Sequence, residues 1–350
     1  MGNFLNDMIA ITENEYAAVA DEGIAAGDVS GFVDTGAYSL NALVSGSIYG
    51  GFPNNKIGAF AGEPATGKTF FCINVVKQFL TDNPNGYCAY FESESAISKQ
   101  MFEERGVDSK RVGIFPVSTV QEFRTQATKI LDKYVDNKKE KPKMMFVLDS
   151  LGNLSTEKEM EDIASGKESR DMTRAQLIRG AFRVLTLKLG KAHVPLVVTN
   201  HVFSTIGGYI PTKEMGGGQG LTYAASSIIF LSKKKDKMLD DDDGRTGTVI
   251  TAHLKKSRLT VEDQKVEVWL NYHTGLDRYY GLLDIAERCG IVKKVSTKYE
   301  FPDGTKAFES QIKKTPEKFF TKEVLDEIDK KCKTIFMYGD VKEDNNDTEN

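Results

Sequence analysis

Short, nearly unbroken apolar runs alternate along this chain with longer stretches whose apolar residues return at helical spacing. The runs are Ile57–Ala61, Tyr87–Phe91, Met144–Asp149 (apolar up to its closing acid), Pro195–Asn200, Ser227–Leu231, Gly247–His253 and Lys265–Leu270. Runs of this length read as buried strands. Between them, Phe70, Ile73, Val76, Lys77 and Leu80 follow a helical spacing, and Thr119-Val-Gln-Glu122 is a capping box that starts a helix near Val120, running to about Val135. Met172, Ala175, Ile178, Phe182, Leu185 and Leu189 fall on one face of a long helix with Gly190 as its expected stop. Strands alternating with helices predict an α/β fold: a mostly parallel twisted sheet flanked by helices. Ser227–Leu231 and Gly247–His253 read as a hairpin whose tip carries Lys233–Lys237 and Asp240–Asp243. The polar stretch Ser155–Ser169 has no apolar period.

The ends differ in texture. Residues 1–32 predict an arm with one or two short amphipathic helices, and Gly27–Gly36 a linker ending in a short strand. The region 33–272 holds the core, and 273–350 a small α/β addition. There Leu282–Gly290 reads as a helix with a glycine stop, Lys293 onward as a short hairpin, and Val324–Lys331 as a second helix. Asp340–Asn350 is acidic and polar, a composition that predicts disorder. The formal net charge of −4 requires that any nucleic-acid surface be local. Cys72, Cys88, Cys289 and Cys332 lie far apart with no zinc-site spacing, as expected of reduced thiols in the cytoplasm. Neither a membrane-spanning apolar stretch nor a signal-peptide pattern is present in the sequence.

The most specific motif is Gly62-Glu63-Pro64-Ala65-Thr66-Gly67-Lys68-Thr69, a phosphate-binding loop of the form GxxxxGKT. It lies between a strand end and a helix start, where backbone amides and the helix dipole face an incoming phosphate. Lys68 would reach the β- and γ-phosphates of ATP, and the Thr69 hydroxyl would hold magnesium. Asp149, ending its strand, is the second nucleotide motif, a carboxylate for the magnesium shell. Glu92 and Glu94 follow another strand, where either can polarise an attacking water; spacing alone does not choose between them. His201 ends a strand and can sense a γ-phosphate or merely cap the strand. Between Val202 and Gly220 lie six glycines, with Phe203, Ile206, Tyr209 and Lys213 available to bases and phosphates, or simply a flexible surface loop. Lys256 and Arg258 share one face of an extended segment. They can clamp a phosphate across a subunit boundary or guard an exposed strand edge.

From about Val33 to Lys294 the chain resembles the RecA-type recombinases, and among them the phage UvsX recombinases. The resemblance rests on Thr35–Leu40, the phosphate loop, Glu92-Ser-Glu94, Leu148–Leu154, Asp171-Met-Thr-Arg174, Gly216–Gln219, Lys256-Ser-Arg258 and Tyr280–Asp284. It implies a RecA-like ATPase core and an ATP- and Mg2+-dependent recombinase. Such an enzyme forms a helical filament on single-stranded DNA, pairs it with homologous duplex, and hydrolyses ATP to release DNA. It further implies Glu94 as the carboxylate that activates water, His201 as the γ-phosphate sensor, and Lys256 and Arg258 as groups reaching the neighbouring subunit's ATP. Two DNA-binding loops are implied, about 155–171 and 202–218, with Arg170, Met172, Arg174, Ile206, Gly207, Gly217 and Gly218 among their contacts. Implied partners are further copies of the chain, a loader or mediator and a single-strand-binding protein, in the host cytoplasm if the chain is phage-encoded. One position departs from the family: Met101, with Phe102 beside it, stands where a tyrosine often stacks on adenine. The rival readings are a ring-forming helicase or motor with the same core, and a non-catalytic nucleotide-binding adaptor.

Overall fold

The computed structural model describes residues 2–14, 17–24, 26–136, 141–167, 171–204, 213–234, 240–241 and 244–338. Arg170, Ile206, Gly207, Tyr209 and the acidic tail lie outside them.

The seven expected strands form one sheet, joined at one edge by a strand the sequence pattern did not predict, Val112–Pro116, which is largely uncovered. We number them β1 (Ile57–Gly62), β2 (Tyr87–Glu92), β3 (Val112–Pro116), β4 (Met144–Asp149), β5 (Leu196–Ser204), β6 (Ser227–Lys233), β7 (Gly247–Ser257) and β8 (Lys265–Asn271). Their spatial order is β8-β7-β6-β1-β5-β4-β2-β3. Neighbours from β6 through β3 are parallel, while β6, β7 and β8 pair antiparallel at one side. The apolar runs have no polar face because both sides of the sheet are covered. Alternate residues of one strand feed different layers. Ala89 and Phe91 of β2 and Phe146 and Leu148 of β4 meet the helices α2 (Val120–Asp136) and α3 (Arg174–Ala192). Cys88, Tyr90, Met145 and Val147 point the other way, into a cluster with Phe71, Val75 and Phe79 of α1 (Lys68–Asp82).

Several local expectations shift. Within the stretch read as aperiodic, Glu157–Ala164 forms a helix, started by a reciprocal capping box between Thr156 and Glu159. Its few apolar residues, Met160 and Ile163, stay exposed, so no buried stripe marks it. Met172 precedes α3 rather than joining its apolar face and is 86% exposed. Gly190 does not stop α3, which continues to Ala192 and is capped by His193 in the left-handed region. A glycine suits position 190 because a Cβ there would come 3.1 Å from the Ala26 carbonyl. The arm forms a helix at Gly2–Ile11 and a single 3-10 turn at Ala20–Glu22, and Phe32–Val33 pairs with Phe52–Pro53.

Beyond β8, the helix Leu282–Arg288 precedes a three-stranded antiparallel sheet (Lys293–Val295, Lys298–Glu300, Lys306–Phe308). The last helix is longer than expected, Lys322–Phe336. It is fastened to the core at Asp329, which accepts from the Ser47 hydroxyl at 2.6 Å and the Ile48 amide at 2.8 Å. Among the described residues no helix is long and apolar enough to cross a membrane.

Candidate nucleotide and nucleic-acid site

The parallel strands end along one edge of the sheet, where ligands of open α/β folds collect. Register brings Gly62 of β1 opposite His201 of β5, and Glu92 of β2 opposite Asp149 of β4. A cleft of about 400 Å3 opens there, lined among others by Lys68, Thr69, Glu94, Asp149 and His201. The phosphate loop feeds directly into α1, with Gly67 as the residue before its first turn. Gly67 has φ +86, and a Cβ on it would stand 2.5 Å from Leu270 Cδ2. At Gly62 a Cβ would meet the Leu231 carbonyl oxygen at 2.9 Å. The loop's glycines are thus required by its own protein surroundings.

Lys68 is buried, and its ammonium donates to the carbonyls of Gly62 and Glu63, both at 3.1 Å. Burial lowers its pKa, against the pull of the Glu94 and Asp149 carboxylates. The loop's own carbonyls thus hold the ammonium at the loop.

The two glutamates separate clearly. Glu92 is buried, and its Oε1 accepts from the amides of Glu94 and Ala96, both at 2.9 Å, which folds the chain after β2. Glu94, past the strand end, reaches the cleft. There it accepts from the Ser150 hydroxyl and lies 3.2 Å from His201 Nε2. Burial pushes the Glu94 pKa up, but the Ser150 and His201 contacts and the Lys68 charge outweigh it, leaving the carboxyl below its ordinary value. Asp149 is buried at the cleft floor. Magnesium is usually held by one or two protein oxygens plus phosphates and waters. Asp149 and the Thr69 hydroxyl line one cleft in this way, so these residues fit the ion.

Sequence reading missed Lys233, Thr248 and Tyr272, which also line the cleft. Phe102, beside the expected adenine position, is buried against Tyr90, whereas Met101 is only partly covered. Tyr272 comes from the far side of the sheet and is 40% exposed. Nothing in its local sequence marks it, since only the order of strands carries it to the cleft.

The edge that bears the cleft continues into the glycine-rich segment. The amide of Gly216 donates to the His201 carbonyl at 3.0 Å, and Asn200 Nδ2 donates to the Gly216 carbonyl at 2.9 Å. Lys213–Met215 pairs antiparallel with Val202–Ser204, and Lys213 forms an ion pair with Glu63 at 2.8 Å. Phe203 is 60% exposed. Gly217 and Gly218 both have positive φ and pack against Ile178 and Ala175 of α3. With Met172 and Arg174 these two glycines line a second, open groove. Arg174 is committed to the carbonyls of Leu154 and Gly152, both at 3.0 Å, which ties α3 to the start of the first loop. A neighbouring groove is lined by Arg179, Arg183 and Tyr223, basic positions that the apolar reading of α3 passed over.

Lys256 and Arg258 do not line this chain's own cleft. Lys256 donates to the carbonyls of Thr222 and Ala225, and Arg258 to that of Tyr223 at 2.7 Å. Both therefore sit at the C-terminal end of the short helix Gly220–Ala224.

The sequence profile of the RecA N-terminal domain family matches residues 20–277. The chain belongs to the RecA family. Among its relatives is the "Recombination and repair protein" of Enterobacteria phage T4, 31% identical over 255 residues, covering 73% of this chain and 63% of that protein. The match thus spans less than two thirds of the phage relative's length. "Protein RecA" of Paracoccus denitrificans is 26% identical over 259 residues, covering 73% and 68% of the two chains. "Protein RecA" of Malacoplasma penetrans is 25% identical over 325 residues, covering 86% and 92%.

Proposed function

We propose that this chain is an ATP-dependent DNA recombinase. It would assemble as a helical filament on single-stranded DNA, with ATP between subunits, and exchange that strand into a homologous duplex. The observation that carries the reading is the continuity of the cleft with the glycine-rich segment, from Glu94 to His201 and on to Gly216 through hydrogen-bonded backbone. Membership of the RecA family and the names of its relatives support it.

In this reading Lys68 and the loop amides hold the β- and γ-phosphates, and Thr69 and Asp149 hold magnesium. When bound, the ion neutralises charge on the phosphate oxygens. Glu94, kept ionised by Ser150 and His201, orients and deprotonates the attacking water. His201 hydrogen-bonds the γ-phosphate and transmits its presence to Gly216. Lys256 and Arg258 would reach the ATP of the next subunit. Single-stranded DNA would lie across Gly217, Gly218, Met172 and Phe203, with Arg179 and Arg183 beside it as phosphate contacts; Arg170, Ile206, Gly207 and Tyr209 would join it from outside the described residues. Arg174 would act chiefly by anchoring the first loop. The arm, residues 1–32, would dock on a neighbouring copy; the core would span 33–272 and the C-terminal domain 273–350. The setting would be the cytoplasm, with a loader and a single-strand-binding protein as further partners.

Electron microscopy of the full chain with single-stranded DNA and a slowly hydrolysed ATP analogue tests this. Continuous helical filaments that need the nucleotide are the expected result; closed rings would point to a motor, and no assembly would contradict the recombinase. Lys68→Ala should abolish nucleotide-dependent assembly, and normal ATP hydrolysis by that variant would sink the site assignment.

A further inference from the structure

Both oxygens of the buried Asp149 carboxylate are held by hydroxyls that do not line the cleft. Tyr90, from the middle of β2, donates its phenol to Oδ2 at 2.8 Å. Thr199, from β5, donates to Oδ1. Both donors are fully buried. The Tyr90 ring packs edge-on against Phe102, with centroids 5.7 Å apart. Tyr90 occupies a strand position whose neighbours in the same layer, Cys88 and Val147, are apolar. A phenyl ring would fill that layer equally well, so the hydroxyl calls for a reason beyond packing. A buried carboxylate oxygen without a donor is costly. One gripped at each oxygen also resists rotation about its last side-chain bond, which fixes the direction of its remaining lone pairs.

We propose that Tyr90 and Thr199 are positioning residues for magnesium. From β2 and β5 they lock Asp149 in the orientation that receives the ion's shell beside Thr69. The proposal rests on the ATP–magnesium reading above. Partners behind a metal-binding group orient it, and their loss typically weakens metal binding about 10- to 100-fold. Magnesium bound here would share its shell among Thr69, Asp149, phosphates and waters, so the lower end of that range applies.

The test is binding, not turnover. A fluorescent ATP analogue is bound to the full-length chain while Mg2+ is titrated, for wild type, Tyr90→Phe, Thr199→Val and the double variant. The expected result is a rise of about tenfold in the Mg2+ concentration giving half-maximal binding for Tyr90→Phe, a further rise in the double variant, and little change in affinity at saturating Mg2+. A merely structural phenol would lower thermal stability and leave the Mg2+ midpoint where it was. That outcome in folded Tyr90→Phe and Thr199→Val overturns the proposal, and if Tyr90→Phe fails to fold, Thr199→Val alone decides. Wild-type binding indifferent to Mg2+ would overturn the underlying reading before any substitution is compared.

Discussion

Two carboxylates separated by one serine meet different partners, and the consequences of losing each should differ in kind. Glu94→Gln removes the group that faces the cleft while keeping its size, so nucleotide should still bind. Hydrolysis measured by phosphate release should fall at least ~100-fold, the usual scale for losing a general base. Retained hydrolysis would move the role elsewhere. Glu92→Ala instead strips the acceptor of two partly buried amide hydrogen bonds. Its expected signature is a loss of about 2 kcal/mol in denaturant unfolding, read from the midpoint at constant slope. The sequence could not make this distinction, because positions two apart share a face only while the strand lasts. β2 ends at Glu92, and the turn after it sends Glu94 into the cleft. The phosphate loop was legible for the opposite reason: its chemistry lies in consecutive residues, so no tertiary information was needed. Tyr90 and Thr199 on separate strands and Tyr272 just past the end of β8 were illegible because no local pattern reveals the order of those strands.

At the level of elements, the apolar pattern revealed seven strands and the long helices because each buries a clear stripe or run, and it missed the edge strand Val112–Pro116, which stays largely uncovered. The helix Glu157–Ala164 escaped because it is held by its cap and by polar contacts. Asp171 binds Thr156 at 2.7 Å, and the Asp171 amide donates to Glu159 at 3.3 Å. Such an element should respond to substitution at its cap more than at its exposed apolar residues. Thr156→Ala is expected to cost about 1 kcal/mol and to raise hydrogen exchange across 157–167, while Ile163→Ser leaves exchange unchanged. β7 carries a different dependence. His253 is largely covered, and burial and the Lys255 and Lys265 charges lower its pKa despite the Asp263 contact. The unfolded chain therefore takes up this proton first, at the ordinary value of about 6.5. The stability that neutral His253 contributes is present above that pH and is lost as pH falls through the lower folded value. His253→Gln should flatten this part of the pH profile: its urea midpoint should drop less than that of wild type between pH 7.5 and 5.5. An equal drop in both proteins would show that the imidazole is not responsible.

At the scale of the whole molecule, the placement of Lys256 and Arg258 is the most informative feature. They belong to the RecA-like core yet stand away from its own cleft, at the end of the Gly220–Ala224 helix, with Tyr223 59% exposed beside them. A head-to-tail assembly would carry this face to the next subunit's cleft, and such heterologous contacts generate open filaments when the rotation does not close. ATP held between subunits and DNA held by the segment linked to His201 should then favour each other's binding equally, and the DNA contacts should weaken as salt rises. Subunit mixing tests the composite site directly. In the proposed assembly Arg258→Ala would keep a complete cleft but offer its neighbour a defective face, whereas Glu94→Gln would keep the face and lose the proposed base. Each alone should be nearly inactive in DNA-stimulated hydrolysis. In an equal mixture, about a quarter of head-to-tail junctions join an intact Glu94 to an intact Arg258, so activity should return toward about a quarter of the wild-type rate on random assembly. A mixture no more active than its components would place Arg258 in service of its own subunit. It would also remove the main physical reason for linking ATP to filament growth in this chain.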